Sequence, residues 1–221
     1  GPTDPEATAG VASAAISDAA PDATVEELAA AHLKALRRVR PTGPYHLAGW
    51  SFGGLLAYEM AVQLRAAGQE VAILALLDTG YPESGHVPDD ENELLEWFHE
   101  DLARSAGFDP TDQNLSVLRS ALRSVADTPA RLAVLAEQVE REGFAPGLDP
   151  RDLARHYAAF RTGLRAAATY RPPAPPCPVL FLQSTTGARE RAADRWAARV
   201  GAGLTRHDAA TDHYGLMRPP H

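Results

Sequence analysis

One cysteine, one lysine and no long apolar run set the first bounds on this chain. A lone cysteine, Cys177, builds neither an intramolecular disulfide framework nor a multi-cysteine zinc site, and it suits a reducing cytosol. Positive charge is scarce. The 21 basic side chains face 29 acidic ones, a net charge of −8, which argues against a sequence-independent grip on nucleic acid or an anionic membrane. The longest apolar stretches, such as Val71 to Leu77, fall far short of the roughly 18 to 20 residues that span a bilayer. No basic segment followed by an apolar one marks a secretory leader, and the opening Gly1-Pro2 resembles the remnant of a cleaved tag. Lys34 as the single lysine, with abundant alanine, suggests a GC-rich bacterial coding sequence, and a cytoplasmic location is expected.

The 221 residues that are present, 45% apolar and 23% charged, fit one globular domain with a sizeable core. Residues 1–23 lack any sustained period and predict a flexible leader. Thr24 and Glu27 have capping-box spacing, and Leu28, His32, Leu36 and Val39 recur at helical intervals until Pro41. A short apolar strand over Tyr45 to Gly49 leads into a helix over Ser51 to Leu64, stopped near Gly68. Val71 to Leu77 reads as a parallel strand buried on both faces.

From 81 to 170 only helices are expected: Glu91 to Ala106, Asn114 to Val125, Ala130 to Glu142 and Pro150 to Tyr170. Strands over Val179 to Gln183 and Leu204 to His207 follow, with a helix over Ala188 to Val200 between them. The order is that of an α/β core, 24–80 and 171–221, interrupted by a helical block at 81–170 that resembles a lid.

Gly49-Trp50-Ser51-Phe52-Gly53 is a G-x-S-x-G pattern set between an apolar strand and a helix. In that elbow Gly49 and Gly53 must lack bulk, with Trp50 between Gly49 and the nucleophile Ser51, and the backbone N–H of Phe52 faces a developing oxyanion. A serine hydroxyl needs a base to take its proton and a carboxylate to hold that base. Asp78 closes the next strand 27 residues on and is the expected acid; Glu190 and Asp194 are its alternatives. His213, in the polar loop after the last strand, is the expected base among eight histidines. No pair of candidate ligands has metal spacing supported by a third.

The run Gly43-Pro44-Tyr45-His46-Leu47-Ala48-Gly49-Trp50-Ser51-Phe52-Gly53-Gly54, then Ala57-Tyr58-Glu59-Met60-Ala61, resembles the terminal thioesterase domains of nonribosomal peptide and polyketide synthetases. Thr24-Val25-Glu26-Glu27-Leu28, Leu76-Leu77-Asp78 and Asp212-His213-Tyr214 extend the resemblance from about residue 24 to the C-terminus. It implies an α/β-hydrolase fold with Ser51, Asp78 and His213 as triad and a helical lid over the substrate. It also implies an acyl group delivered on the phosphopantetheine of an upstream carrier domain, with no cofactor bound by this domain itself. Triad spacing and the large helical block resemble depsipeptide-cyclising members, which join peptidyl or depsipeptidyl units and close a macrolactone. Lid aromatics Trp97, Phe98, Phe108, Phe144, Tyr157 and Phe160 are candidates to line an acyl tunnel, although such rings more often pack helices together.

One departure stands out. Family members carry an upstream strand and a His-Pro-Gly-type loop that supplies a second oxyanion N–H; residues 1–23 hold no such motif, and Ala12 to Ile16 is too weak a strand to replace it. The N-terminal strands are therefore expected to be missing from this chain. The competing expectations are a hydrolytic editing thioesterase or esterase, and a non-catalytic fragment or acyl-binding module.

Overall fold

The computed structural model describes residues 19–82, 87–186 and 190–218. Helix α1, Val25–Val39, starts with the capping box foreseen: the Thr24 hydroxyl accepts from the Glu27 amide and Glu27 accepts from the Thr24 amide. A turn precedes Thr24: the Ala23 amide donates to the Ala20 carbonyl, and Ala23 is itself buried in the core. The rest of the expected leader, residues 1–18, and the Ala12 to Ile16 segment lie outside the described residues. Among the described residues no helix is long and apolar enough to cross a membrane.

Strands β1 (Tyr45–Trp50), β2 (Val71–Leu77), β3 (Val179–Ser184) and β4 (Leu204–Ala209) form one parallel sheet in the order β1-β2-β3-β4. Helices α2 (Phe52–Ala66) and α7 (Glu190–Val200) make the crossovers beside them, and α1 packs against α2. The bounds of β2 match the sequence reading, but its burial does not. Leu74 and Leu76 are buried while Ile73 is 49% exposed, and Leu180, on the same face of β3 by register, is 39% exposed. The unbroken apolar run thus hides an alternation: among the described residues the helices cover one face, and that face takes Leu74, Leu76, Val179 and Phe181.

The chain divides into two compact units, Gly1–Gly85 with Thr162–His221, and His86–Arg161. The second unit is narrower than the 81–170 block expected from helical periodicity. The reason is that α6 (Pro150–Thr169) and the residue after it change partners along their length: Ala166 and Tyr170 join the core of the first unit, where the Tyr170 hydroxyl donates to Glu59 Oε2 at 2.8 Å. Periodicity reports that a helix exists, not which core receives its last turns.

The second unit, taken by itself, holds α3 (Glu91–Ser105), α4 (Asp112–Arg123), α5 (Thr128–Glu142) and the first turns of α6. Its helices begin on Asp90, Thr111 and Asp127, each accepting a first-turn amide, so the acidic run at Asp89 to Glu93 serves as a helix start. Its interior contains a buried histidine–carboxylate contact, His99 Nε2 to Glu142 Oε2 at 2.7 Å, braced by Gln138, which bonds both Glu142 and Arg141.

Candidate active site

Ser51 sits between the end of β1 and the start of α2 with φ 54° and ψ −126°, a left-handed conformation that a non-glycine residue holds only when its surroundings enforce it. Two contacts enforce it. The Ser51 amide donates to the Leu77 carbonyl at 2.9 Å, carrying the β1–β2 ladder one residue past Trp50. A Cβ on Gly49 would lie 2.0 Å from the Gly53 carbonyl oxygen, so only glycine lets the chain fold back so closely. The second tight position is Gly54, not Gly53. A Cβ on Gly54 would meet Thr79 Oγ1 at 1.8 Å, whereas one on Gly53 meets nothing within 4 Å. The bulk restriction expected at Gly53 is therefore corrected: the elbow is tight where α2 passes the loop after β2. The Phe52 amide opens α2 with no partner in its own helix, as first-turn amides must.

Asp78 ends β2 at φ 46°, its amide bonded to the Leu182 carbonyl at 2.7 Å, and its neighbour Thr79 accepts the indole N–H of buried Trp196 at 3.0 Å. The carboxylate is 1% exposed and is ringed by donors. Oδ1 accepts from the Ser184 amide and from Gln183 Nε2, both at 3.0 Å; Oδ2 accepts from the Ser184 hydroxyl at 2.8 Å and from His213 Nδ1 at 2.7 Å. Burial alone would raise the Asp78 carboxyl; the donors from His213 and Ser184 outweigh it and hold the group below its ordinary value. An ionised Asp78 only accepts, so the proton of His213 belongs on Nδ1 and Nε2 carries the free lone pair.

His213 comes from the loop after β4, held by the Asp212 carboxylate accepting from the Gly215 amide at 2.6 Å and by the Thr186 amide bonded to Thr211 at 3.1 Å. Trp50 adds two contacts that the sequence reading missed. Its indole N–H donates to the His213 carbonyl at 3.0 Å, and its ring stacks on the imidazole at 4.6 Å and 25°. The His213 ring is thus set against the residue that precedes Ser51. Among the described residues Ser51 Oγ has no hydrogen bond to His213, a contact that in many free enzymes tightens only when substrate arrives.

The structure joins Asp78 to His213 and sets both at the strand ends beside Ser51. The alternative acid Asp194 is 76% exposed on α7 next to Arg206, and the side chain of Glu190 is not among those described. Of the other histidines, His32 bonds the Leu28 carbonyl within α1, His207 is exposed on β4 and His99 is buried in the helical unit. Gln183 and Ser184 went unrecognised; their only signal was two polar residues closing an apolar strand.

Of the six lid aromatics, Phe98 and Tyr157 are each 3% exposed and pack ring to ring at 5.4 Å, so they serve the interior of the helical unit. Phe160 packs on Phe98 at 5.4 Å and is half-buried, and Trp97 is 36% exposed. Phe108 and Phe144 stack on each other at 5.3 Å. Two hollows are defined elsewhere. One, of about 370 Å³, lies in the helical unit beside Phe108, Asn114 and Gln138; the other, of about 510 Å³, lies beside Tyr81 and Arg199. Neither is lined by Ser51, Asp78 or His213. Among the described residues no three His, Cys, Asp or Glu side chains gather as a metal site. A second oxyanion donor from upstream of α1 would fall largely on residues outside those described.

Comparison with known proteins agrees with this geometry. The family model described as a thioesterase domain matches residues 8–218. The dimodular nonribosomal peptide synthase of Bacillus subtilis (strain 168) is 29% identical over 204 residues, covering 89% of this chain and 8% of that protein. A four-domain nonribosomal peptide synthetase solved with AMP and glycine superposes with a TM-score of 0.77 at 29% identity, covering 90% of this chain and 15% of that one. The NocB thioesterase domain, solved as a covalent complex with a fluorophosphonate nocardicin G analogue, superposes with a TM-score of 0.54 at 26% identity, covering 88% and 68%. The chain therefore spans a small part of the length of the synthetases it matches. The parallel sheet with its helices is the α/β-hydrolase-like fold of the thioesterase domains it resembles.

Proposed function

This chain belongs to the thioesterase-domain family, and we propose that Ser51, His213 and Asp78 release an acyl chain held as a thioester on the phosphopantetheine of an upstream carrier domain. The observation that carries the reading is the 2.7 Å bond from His213 Nδ1 to buried Asp78, which leaves Nε2 as a base beside a strained serine. In this reading His213 Nε2 takes the Ser51 proton as Oγ bonds to the thioester carbonyl carbon. The oxyanion that forms faces the Phe52 amide at the positive end of α2. The carbon–sulfur bond then breaks, the imidazolium returns its proton to the leaving thiol, and an acyl-Ser51 ester remains.

The acceptor completes the proposal. A hydroxyl or amine of an acyl chain attacks the ester, first joining units and then closing a macrolactone or macrolactam, with His213 again moving the proton. Support for this last step comes from the family resemblance alone, and the identity of the substrate is set by the partner synthetase.

The test is mass spectrometry of protein and products after incubation with a peptidyl or depsipeptidyl thioester, with Ser51→Ala alongside. A Ser51-dependent adduct with cyclic or oligomeric product bears out the whole proposal. Free acid alone keeps the acyl-enzyme and replaces the acceptor with water, as in an editing thioesterase. Folded protein that never forms an adduct overturns the catalytic reading in favour of an acyl-binding module.

A further inference from the structure

Gln183 is a poor fit to its place in the sheet. It is 1% exposed on β3, on the same side as Val179 and Phe181, which are 1% and 0% exposed and belong to the apolar core. Its Nε2 faces two acceptors, Asp78 Oδ1 at 3.0 Å and the Ser184 carbonyl at 3.1 Å, which fixes the amide's orientation. Its Oε1 is then buried with no hydrogen-bond partner among the described residues. A buried, unpaired amide oxygen is destabilising, and a leucine or methionine of similar size would avoid it. What the amide supplies in return goes to Asp78 and to Ser184, which itself bonds Asp78.

We propose that Gln183 is a positioning residue that fixes the plane of the Asp78 carboxylate, and so the aim of His213, at the expense of fold stability. The inference rests on the acyl-transfer reading above. A carboxylate turns freely about its last side-chain bond unless both oxygens are held. Oδ2 accepts from His213 and the Ser184 hydroxyl, and Oδ1 is held against them by the Ser184 amide and by Gln183, so Gln183 adds a side-chain restraint on the plane. The second bond from the same Nε2, to the Ser184 carbonyl, braces the residue that supplies two further donors to Asp78. Gln183 thus reaches His213 through Asp78 without touching substrate.

The experiment compares wild type, Gln183→Met, Asp78→Asn and the double variant. It measures melting temperature, active-site titre with a fluorophosphonate, and kcat and KM on a peptidyl N-acetylcysteamine thioester. Gln183→Met is expected to melt at or above the wild-type temperature, to keep KM within about twofold, and to lose roughly tenfold in kcat per titrated site, what one charge-assisted hydrogen bond is worth. In the Asp78→Asn background the same change leaves kcat where it was, since its route runs through Asp78. An unchanged kcat in Gln183→Met, a fall in melting temperature and titre with the per-site rate preserved, a variant that does not fold, or additive losses in the double variant each overturn the inference. Absence of Ser51-dependent turnover in wild type overturns the acyl-transfer reading instead, and is seen before any Gln183 variant is measured.

Discussion

Two histidine–carboxylate pairs in this molecule have the same 2.7 Å bond length: His213 with Asp78 at the strand ends, and His99 with Glu142 inside the helical unit. Distance does not tell them apart; what surrounds the other ring nitrogen does. His99 is fully buried, its Nδ1 enclosed without a partner among the described residues, and Phe144 meets its ring edge-on at 72°. His213 keeps 11% of its side chain exposed, stacks face to face on Trp50, and leaves Nε2 unclaimed among the described residues. The carboxylates differ too. Asp78 accepts from Ser184, Gln183 and His213 and is held below its ordinary value, while Glu142 is tied into a chain of Gln138 and Arg141. A base needs a reachable lone pair as well as an oriented partner, and only the first pair offers both.

The largest effect that separates the pairs is catalytic. Asp78→Asn is expected to keep the fold and lower kcat about ten-thousandfold, because an amide can hold the wrong imidazole tautomer. Glu142→Gln is expected to leave the per-site rate within about twofold. Single-turnover acylation of both variants checks the contrast, and a large rate loss from Glu142→Gln would dissolve it.

Next in size is stability. Removing one partner of a buried pair strands the other, so Glu142→Ala is expected to cost about 3 kcal/mol by denaturant unfolding. The double change His99→Leu with Glu142→Leu should recover most of that loss, since apolar residues of similar volume replace buried pairs at little net cost. Failure of the double variant to recover would mean that the pair does more than fill the interior.

Acid unfolding sharpens the comparison further. The Asp78 carboxyl is held below its ordinary value of 3.8 in the folded protein, so it binds protons more weakly there than in the unfolded chain. Its contribution to stability is complete above that value and disappears as the pH falls through the lower folded value. Asp78→Asn should therefore flatten the stability profile below about pH 4, measured by fluorescence-monitored urea unfolding at stepped pH. An unaltered profile would show that the ring of donors does not favour the ionised form.

How far these distinctions can be read from sequence depends on the range of the contact. Val71–Leu77 was legible to the residue because an apolar run ends at Asp78, and Ser51 because its motif is local. The exposure of Ile73 was not, since the run itself cannot say which face the helices leave open. Gly54 in place of Gly53 depends on Thr79, which only the fold brings near. Gln183 and Ser184 meet Asp78 across 105 and 106 residues, and no periodicity encodes that meeting. His99 and His213 look alike as letters, because enclosure of a ring nitrogen is a property of packing.

The smallest effect lies in the aromatic neighbour of each histidine. Trp50→Phe keeps a ring under His213 but removes the indole N–H that donates to its carbonyl at 3.0 Å, a neutral hydrogen bond worth about 1 kcal/mol. The loop should then hold the imidazole less firmly, and kcat should fall by roughly fivefold with KM little changed. Trp50→Leu, which also removes the stack, should fall further, while Phe144→Leu beside His99 should lower the melting temperature of the helical unit and leave kcat unchanged. Equal losses of kcat from Trp50→Phe and Phe144→Leu would mean that both rings only pack. A graded loss at Trp50 alone would place the residue before Ser51 among those that aim His213.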